Sequence, residues 1–165
     1  MPLKIRKLSF FSLILFVFLR KIKSLSFKGG ESLSYQRKNN AIIIDVEEDV
    51  CETLKLYLEN MKLFSSIVVS RDGMDATQKL INQRFSVIVL DLKIPKKNGL
   101  EILSNITKKG STNKNFTSSV IISSGNLGKD VLNKALKVGV KHFLVKPFDE
   151  EQFKQKVEAV LKAIK

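Results

Sequence analysis

From residue 41 onwards, short runs typical of strands, most of them rich in β-branched residues, alternate with segments of helical periodicity, and no other feature constrains the fold as strongly. The five runs lie at residues 41–44, 67–69, 86–90, 120–123 and 142–145. The first is apolar throughout, which is typical of a parallel strand covered on both faces. After it, Val50, Leu54 and Leu58 recur at helical spacing. The alternation predicts an α/β fold, a doubly wound parallel sheet of five strands with five helices.

Two residues that are suited to helix ends support this predicted alternation of strands and helices. Gly139 follows the fourth helical segment, and glycine there readily ends a helix. Asp149 precedes the fifth segment, where its carboxylate can accept hydrogen bonds from the first backbone N–H groups. We therefore expect the fourth helix to end near Gly139 and the fifth to begin after Asp149.

Four polar residues stand at the carboxyl ends of otherwise apolar strands, and these are Asp45, Asp91, Ser124 and Lys146. In a doubly wound sheet these strand ends open onto one crevice, the usual ligand site. A carboxylate there can accept a phosphoryl group if nearby cations offset the charge that develops on the transferred oxygens. Lys146 supplies one cation, and Asp45 can help to hold Mg²⁺. The Ser124 hydroxyl can donate a hydrogen bond to a phosphoryl oxygen.

Each of these residues also has an ordinary structural interpretation. Asp45 can simply cap the helix that follows it, and Ser124 can be a turn residue. Asp91 and Lys146 can be solvated side chains of surface loops. The placement of all four at one predicted edge favours a site over four separate coincidences.

The residues that the chain lacks exclude several other kinds of chemistry. Cys51 is the only cysteine and His142 the only histidine, so an intramolecular disulfide, a multi-cysteine metal site and a histidine metal cluster are excluded. With one histidine and no Gly-x-Ser-x-Gly motif, acyl-transfer hydrolysis is disfavoured. No glycine-rich phosphate loop follows the first strand, which argues against a nucleotide-binding enzyme. Cys51 lies in a helical pattern and is expected to be a buried thiol.

Four motifs carry a resemblance to a known family. They are Ile-Ile-Asp at 43–45, Val-Leu-Asp-Leu-Lys-Ile-Pro at 89–95 with Asn98-Gly99, Ile-Ile-Ser-Ser-Gly at 121–125, and Phe-Leu-Val-Lys-Pro-Phe at 143–148. Together they make residues 41–165 resemble the receiver domain of two-component response regulators. The resemblance implies a flavodoxin-like, chemotaxis-regulator-like fold with strand order 2-1-3-4-5, and a cis peptide bond between Lys146 and Pro147.

The same resemblance implies a role for each site residue. Asp91 would be the phosphoacceptor, and Asp45 would be the first member of the acidic pair that holds Mg²⁺ together with Asp91. Ser124 would be the switch hydroxyl and Lys146 the conserved-type lysine of the site. Phe143 would be the aromatic switch residue, although ordinary strand packing explains a phenylalanine there equally well.

The sequence departs from the family pattern beside Asp45. The family has a second acid there as a direct Mg²⁺ ligand, whereas this chain has Val46. Because Mg²⁺ prefers near-ideal octahedral oxygen coordination, the loss of one carboxylate should weaken its binding. Glu47 is the candidate substitute, but it would have to reach back past Val46. Lys93 and Asn126 lie at positions expected to influence how long the phosphoryl group persists.

Residues 1–40 differ in character from the predicted receiver domain at 41–165. Residues 8–19 form an uncharged, largely apolar run flanked by Lys4, Arg6 and Lys7 and by Arg20, Lys21 and Lys23. A twelve-residue helix would be about 18 Å long, too short to cross a hydrocarbon core of roughly 30 Å. An interfacial membrane contact through residues 1–23, a signal-like leader and a misassigned start remain as alternatives. Residues 24–40 have the composition of a flexible linker.

The net charge of +13 invites comparison with nucleic-acid-binding proteins. Residues 1–40 contain nine basic residues and one acid, whereas residues 41–165 contain 20 basic and 15 acidic residues. Most of the excess therefore lies in the N-terminal segment. The predicted domain shows no arginine-rich stripe with interleaved aromatic residues, so direct nucleic-acid binding is not expected.

Two functional hypotheses follow for this chain. The first is a stand-alone, cytoplasmic receiver that is not an enzyme in its own right. It would take a phosphoryl group from a histidine kinase or a histidine phosphotransfer protein, with Mg²⁺, and signal by protein–protein contact, since the last helix reaches the end of the sequence. The second is a phosphorylation-independent pseudo-receiver that serves as a binding module, and Val46 is its main support.

Overall fold

The computed structural model describes residues 39–108 and 112–164. The strands are β1 (Asn39–Ile44), β2 (Phe64–Ser70), β3 (Val87–Asp91), β4 (Val120–Ser124) and β5 (His142–Val145). The helices are α1 (Glu48–Met61), α2 (Gly73–Asn82), α3 (Gly99–Thr107), α4 (Lys129–Lys137) and α5 (Glu150–Ala163), with a 3₁₀ turn at Thr117–Ser119. The predictions made for residues 1–38 lie outside the described residues.

The five strands form one parallel sheet in the order β2-β1-β3-β4-β5. The predicted α/β class, the number of strands and helices, and the strand order 2-1-3-4-5 are therefore confirmed. Among the described helices, none is both long enough and apolar enough to cross a membrane.

Side chains of the central strands alternate between two hydrophobic clusters, one on each face of the sheet. Ile42 and Ile44 of β1 pack on the face covered by α2, α3 and α4, and Ala41 and Ile43 pack on the face covered by α1 and α5. All four are completely buried. Burial on both faces is the reason that the sequence of β1 is continuously apolar instead of alternating.

The helix ends follow the local sequence. The Asp149 carboxylate accepts a hydrogen bond from Gln152 N–H, and the Gln152 side chain accepts one from Asp149 N–H, which makes a capping box at the start of α5. Gly139 has a φ of 93° just after α4, in the left-handed region that glycine adopts without strain. Both predicted helix ends are confirmed.

A buried amide ties two loops together at the edge where the strands begin. Asn115 accepts a hydrogen bond from Phe85 N–H (2.7 Å) and donates to the carbonyls of Leu80 (2.7 Å) and Gln83 (2.9 Å). It is 4% exposed, and its contacts with Phe85 N–H and the Leu80 carbonyl satisfy buried backbone groups. Asn115 thereby fixes the loop before β4 against the loop before β3.

Candidate functional site

The sheet register brings three strand ends to one edge. Ile44 pairs with Leu90 and Asp91 pairs with Ser123, so Asp45, Asp91 and Ser124 follow one another across β1, β3 and β4. Asp45, Asp91 and Ser124 are all buried. The predicted convergence of these polar residues at the carboxyl ends of the strands is what the topology produces.

Lys146 completes this arrangement from the end of β5. Its Nζ atom lies 2.7 Å from Asp45 Oδ2 and 3.2 Å from Asp91 Oδ2. It also lies 3.2 Å from Glu47 Oε1. One ammonium group, on a side chain that is 16% exposed, therefore contacts three carboxylates that come from two separate strand ends. The peptide bond between Lys146 and Pro147 is cis, as the family resemblance predicts.

Local turns hold the polar side chains of the site in place. Asp45 Oδ1 accepts a hydrogen bond from Glu47 N–H (3.1 Å), and Asp91 Oδ1 accepts one from Lys93 N–H (3.0 Å). Each carboxylate thus turns one oxygen towards its own loop and the other towards Lys146. The interpretation of Asp45 as a helix cap is wrong, because Glu47 is the residue at the start of α1 and no side chain caps this helix.

Glu47 does reach the site past Val46. The carboxylates of Asp45, Glu47 and Asp91 each offer an oxygen atom within 4.8 Å of the others, a group that can hold a metal ion. Glu47 has an ordinary extended backbone (φ −80°, ψ 118°), so its approach needs no unusual loop geometry. Val46 is 41% exposed and brings an apolar side chain to the rim in place of an acid.

Burial and charge oppose each other at this site. Burial raises the pKa of Asp45, and the hydrogen bond from Lys146 offsets this effect only in part. Burial alone would lower the pKa of Lys146, but the hydrogen bond to Asp45 and the charges of Asp45 and Asp91 outweigh burial and raise it. Lys146 therefore remains an ammonium group at neutral pH and is a permanent cation beside Asp91.

The two predicted switch residues lie on one face of the sheet. The Ser124 hydroxyl forms hydrogen bonds within its own loop, donating to Asn126 O (3.2 Å) and accepting from Asn126 N–H (3.4 Å). The interpretation of Ser124 as a turn residue thus describes this structure. Phe143 pairs with Ile122 and is half-buried against the same cluster of apolar residues as Ile122. The switch roles of Ser124 and Phe143 stay predictions.

The loop after β3 approaches the site closely because of one glycine. A Cβ atom on Gly99 would lie 2.8 Å from the Asp91 carbonyl oxygen, so a larger residue would push the start of α3 away from the strand end. Asn98, the residue before it, caps α3 by accepting a hydrogen bond from Glu101 N–H (3.0 Å). The Asn98-Gly99 pair thus sets the distance between α3 and Asp91.

Sequence reasoning missed Arg71, which supports the loop that carries Val46. Its guanidinium donates to the Val46 carbonyl at 3.5 Å and pairs with Glu48 at 3.0 Å. Arg71 follows β2, which lies beside β1 in the sheet. No local pattern marks this contact, because the two partners are 25 residues apart in the sequence.

Residues 41–158 match the model of the family described as the response regulator receiver domain. The chain belongs to this family. It is therefore a receiver domain of the kind used in two-component signalling, and the match covers Asp45, Asp91 and Lys146.

Two comparisons with individual proteins agree with this assignment. The receiver domain is 31% identical over 114 residues to the transcriptional regulatory protein MalR of Bacillus subtilis, a match over 69% of this chain and 46% of the relative. It resembles the chemotaxis protein CheY4 of Vibrio cholerae with a TM-score of 0.65 and 19% identity, over 75% of this chain and 99% of that one. The latter likeness shows the fold alone.

A third comparison involves a metal-bound structure. The receiver domain of the sensor histidine kinase PA1611 from Pseudomonas aeruginosa has a TM-score of 0.63 and 15% identity, over 76% of this chain and 98% of that one. That structure has a magnesium ion coordinated in its active-site cleft. The chain spans about half the length of the curated relatives that it matches.

Proposed function

We propose that this receiver domain accepts a phosphoryl group on Asp91 and passes the signal on by protein–protein contact. The observation that carries the proposal is the position of Lys146 Nζ, 3.2 Å from Asp91 Oδ2 and 2.7 Å from Asp45 Oδ2. A fixed ammonium group beside a carboxylate nucleophile can stabilise the negative charge that develops on phosphoryl oxygens during transfer.

The transfer is a single displacement at phosphorus. An Asp91 carboxylate oxygen attacks, the bond from phosphorus to its donor breaks, and the bonding electron pair leaves with the donor group. With a histidine kinase or a histidine phosphotransfer protein as donor, the broken bond is P–N and the leaving group is an imidazole. Lys146 stays protonated throughout and contacts the transferred group, while the turn through Lys93 N–H holds the other Asp91 oxygen.

Mg²⁺ fits the donor set of this site. Asp45, Asp91 and Glu47 supply carboxylate oxygens, the ligand type that Mg²⁺ prefers, and they lie close enough to share one ion. When bound, Mg²⁺ supplies positive charge that neutralises the phosphoryl oxygens as they approach Asp91. Glu47, one residue further along the chain, supplies the carboxylate ligand that a second acid at position 46 would supply.

The response to phosphorylation is proposed to run through Ser124 and Phe143. Among the described residues, the Ser124 hydroxyl forms hydrogen bonds only within its own loop, so it can turn to donate to a phosphoryl oxygen on Asp91. Phe143 is half-buried on the same face, next to the strand that carries Ser124. Movement of the loop at 124–126 would change the packing of Phe143 and the surface around α4 and β5.

Incubation with acetyl phosphate and Mg²⁺ tests the proposal. We expect a shifted band on phosphate-affinity electrophoresis, and no such band for Asp91→Asn, which retains the shape of the side chain. Glu101→Gln is the matched control, since this exposed acid lies outside the metal group and should leave the shift unchanged. A band that shifts equally in Asp91→Asn would contradict the assignment of the phosphoacceptor.

A phosphorylation-independent binding module is the second candidate function, and Val46 is the observation that favours it. The three acids are already neutralised in part by Lys146, which lowers the charge available to attract Mg²⁺. Val46→Asp separates the two functions. A phosphorylation rate that is low in the wild-type chain and restored by Val46→Asp supports the second candidate, whereas wild-type phosphorylation at millimolar Mg²⁺ supports the first.

A further inference from the structure

Basic residues occupy every described connection at the edge of the sheet where the strands begin, which we call the basal edge. This edge lies opposite the phosphoacceptor site, because every helix runs antiparallel to the strands of a parallel sheet. Six basic residues lie in the four helix-to-strand connections or, for Lys137, at the end of α4; they are Lys62, Arg84, Lys108, Lys114, Lys137 and Lys141. All six of these residues are exposed.

These six cations have no acidic partners within the described part of the chain. None of them lies within 4.0 Å of a described carboxylate, whereas exposed lysines elsewhere do form ion pairs. The acids nearest to the basal edge along the helices are Glu59 and Glu158. They pair with Lys55 and Lys162, each at 3.8 Å.

Most acids of the described residues lie at or near the opposite edge, at the strand ends, in the loops after the strands or in the first two turns of the helices. They are Asp45, Glu47, Glu48, Asp49, Glu52, Asp72, Asp75, Asp91, Glu101, Asp130, Asp149, Glu150 and Glu151. The helix dipole favours this separation, since acids stabilise helix N-termini and bases stabilise C-termini. It does not account for apolar side chains among the unpaired cations.

Three exposed apolar side chains accompany the cations at the basal edge. Phe116, before β4, is 52% exposed, and the Arg84 guanidinium lies 4.9 Å from its ring centroid. Leu63, before β2, is 45% exposed, and Ile81, near the end of α2, is 37% exposed. Cations interleaved with exposed aromatic and aliphatic groups are typical of surfaces that lie in the headgroup region of a membrane.

Residues 1–38, which precede the described part of the chain, are also basic and partly apolar. Those residues contain nine Lys/Arg and one acid, together with the uncharged run at 8–19. The sign of their net charge therefore also suits an anionic partner.

We propose that the basal edge is a contact surface for an anionic phospholipid membrane, with the Asp91 edge facing away from the lipid. Phosphate headgroups complement the unpaired cations, and the acyl boundary receives Phe116, Leu63 and Ile81. A nucleic acid backbone would complement the charges equally well, but it offers nothing to aliphatic side chains. The exposed apolar groups therefore favour lipid.

Vesicle flotation of the full chain tests the surface. The vesicles contain phosphatidylcholine alone, or phosphatidylcholine with about one third phosphatidylglycerol. The salt concentration is about 0.1 M, at which charges within about 10 Å of each other still interact. Each basic residue at an anionic surface contributes about fivefold to partitioning, so Arg84→Gln with Lys114→Gln should weaken binding roughly 25-fold. Lys137→Gln with Lys141→Gln should weaken binding by a similar factor. This second pair leaves the contact between Arg84 and the Phe116 ring unchanged.

The matched control is Lys93→Gln with Lys129→Gln, which removes the same charge from exposed positions at the opposite edge. It should change partitioning by less than either basal pair. Phe116→Ser should reduce the binding that remains at high salt, where charge contributes little. Circular dichroism of each variant confirms that the fold is retained.

Several outcomes would overturn the proposal. These are a wild-type chain that does not prefer anionic vesicles, basal variants that bind as tightly as wild type, or a control pair that loses as much as the basal pairs. Tighter binding to random-sequence duplex DNA than to the anionic vesicles, lost in the basal variants but kept in Phe116→Ser, would assign the surface to nucleic acid instead.

Discussion

Glu47→Gln should weaken Mg²⁺ binding, because the structure places this carboxylate with Asp45 and Asp91 in one group. Its side chain is 62% exposed, so the attraction is calculated for a water-like environment. At about 4 Å, a divalent cation and a carboxylate attract each other by about 2 kcal/mol in water. Screening at about 0.1 M salt, with a Debye length of about 10 Å, reduces this to about 1.4 kcal/mol. We therefore expect about a tenfold loss of affinity.

Isothermal titration calorimetry at pH 7 measures this loss directly. Glu48→Gln is the matched control, since it removes the same charge from the next residue, which pairs with Arg71 and not with Lys146. It should weaken Mg²⁺ binding by no more than about threefold, as expected of a screened charge outside the group. Equal affinities for Glu47→Gln and wild type, or equal losses in the two variants, would refute Glu47 as a ligand.

Three further predictions concern stability and reactivity. Because burial raises the pKa of Asp45, the contribution of this carboxyl group to stability is fully present at low pH and is lost as pH rises through its folded-state pKa. Asp45→Asn should therefore be more stable than wild type at pH 7 but not at pH 3, as measured by urea denaturation. Burial raises the pKa of the Cys51 thiol from 9.0 to about 11, so alkylation at pH 8 should be about 100-fold slower in the native chain than in urea. Asn115→Ala should lower the free energy of unfolding by about 2–3 kcal/mol, whereas Asn133→Ala, at an exposed position, should change it by less than about 0.5 kcal/mol.

Each of these three has a clear contrary result. An Asp45→Asn variant that is less stable than wild type at pH 7, by more than at pH 3, would show that the Lys146 contact outweighs burial. Alkylation rates of Cys51 within tenfold of each other would mean that the thiol is not shielded in the native chain. Equal effects of the two asparagine substitutions would remove the structural role assigned to Asn115.

The extent of the elements shows where local sequence stops being informative. The sequence predicted the second strand at residues 67–69, whereas β2 spans Phe64–Ser70. The residues before position 67 also pair with β1, where Asn39 lies opposite Phe64 and Asn40 opposite Ser66. Ser65 and Ser66 are neither β-branched nor aromatic and so do not mark a strand in the sequence, and pairing with the neighbouring strand makes them part of β2.

In the site, too, the local sequence predicted some side chains but not others. Asp45, Asp91, Ser124 and Lys146 could be predicted, because each follows an apolar run that identifies a strand end. The approach of Glu47 could not be predicted, since it depends on the turn that Asp45 makes with Glu47 N–H and on the position of Lys146. These partners are 99 residues apart, beyond the range of any local pattern.

Sequence by itself determined the alternation of strands and helices, the polar residues at the strand ends and the capping of α5, because each depends on neighbouring residues and on hydrophobic periodicity. Tertiary structure decided which acids share Lys146, which loop Arg71 supports and where the unpaired cations gather. Those outcomes depend on distances between segments that are remote in sequence. Such distances exist only once the parallel sheet has placed all strand ends at one edge and all strand beginnings at the other.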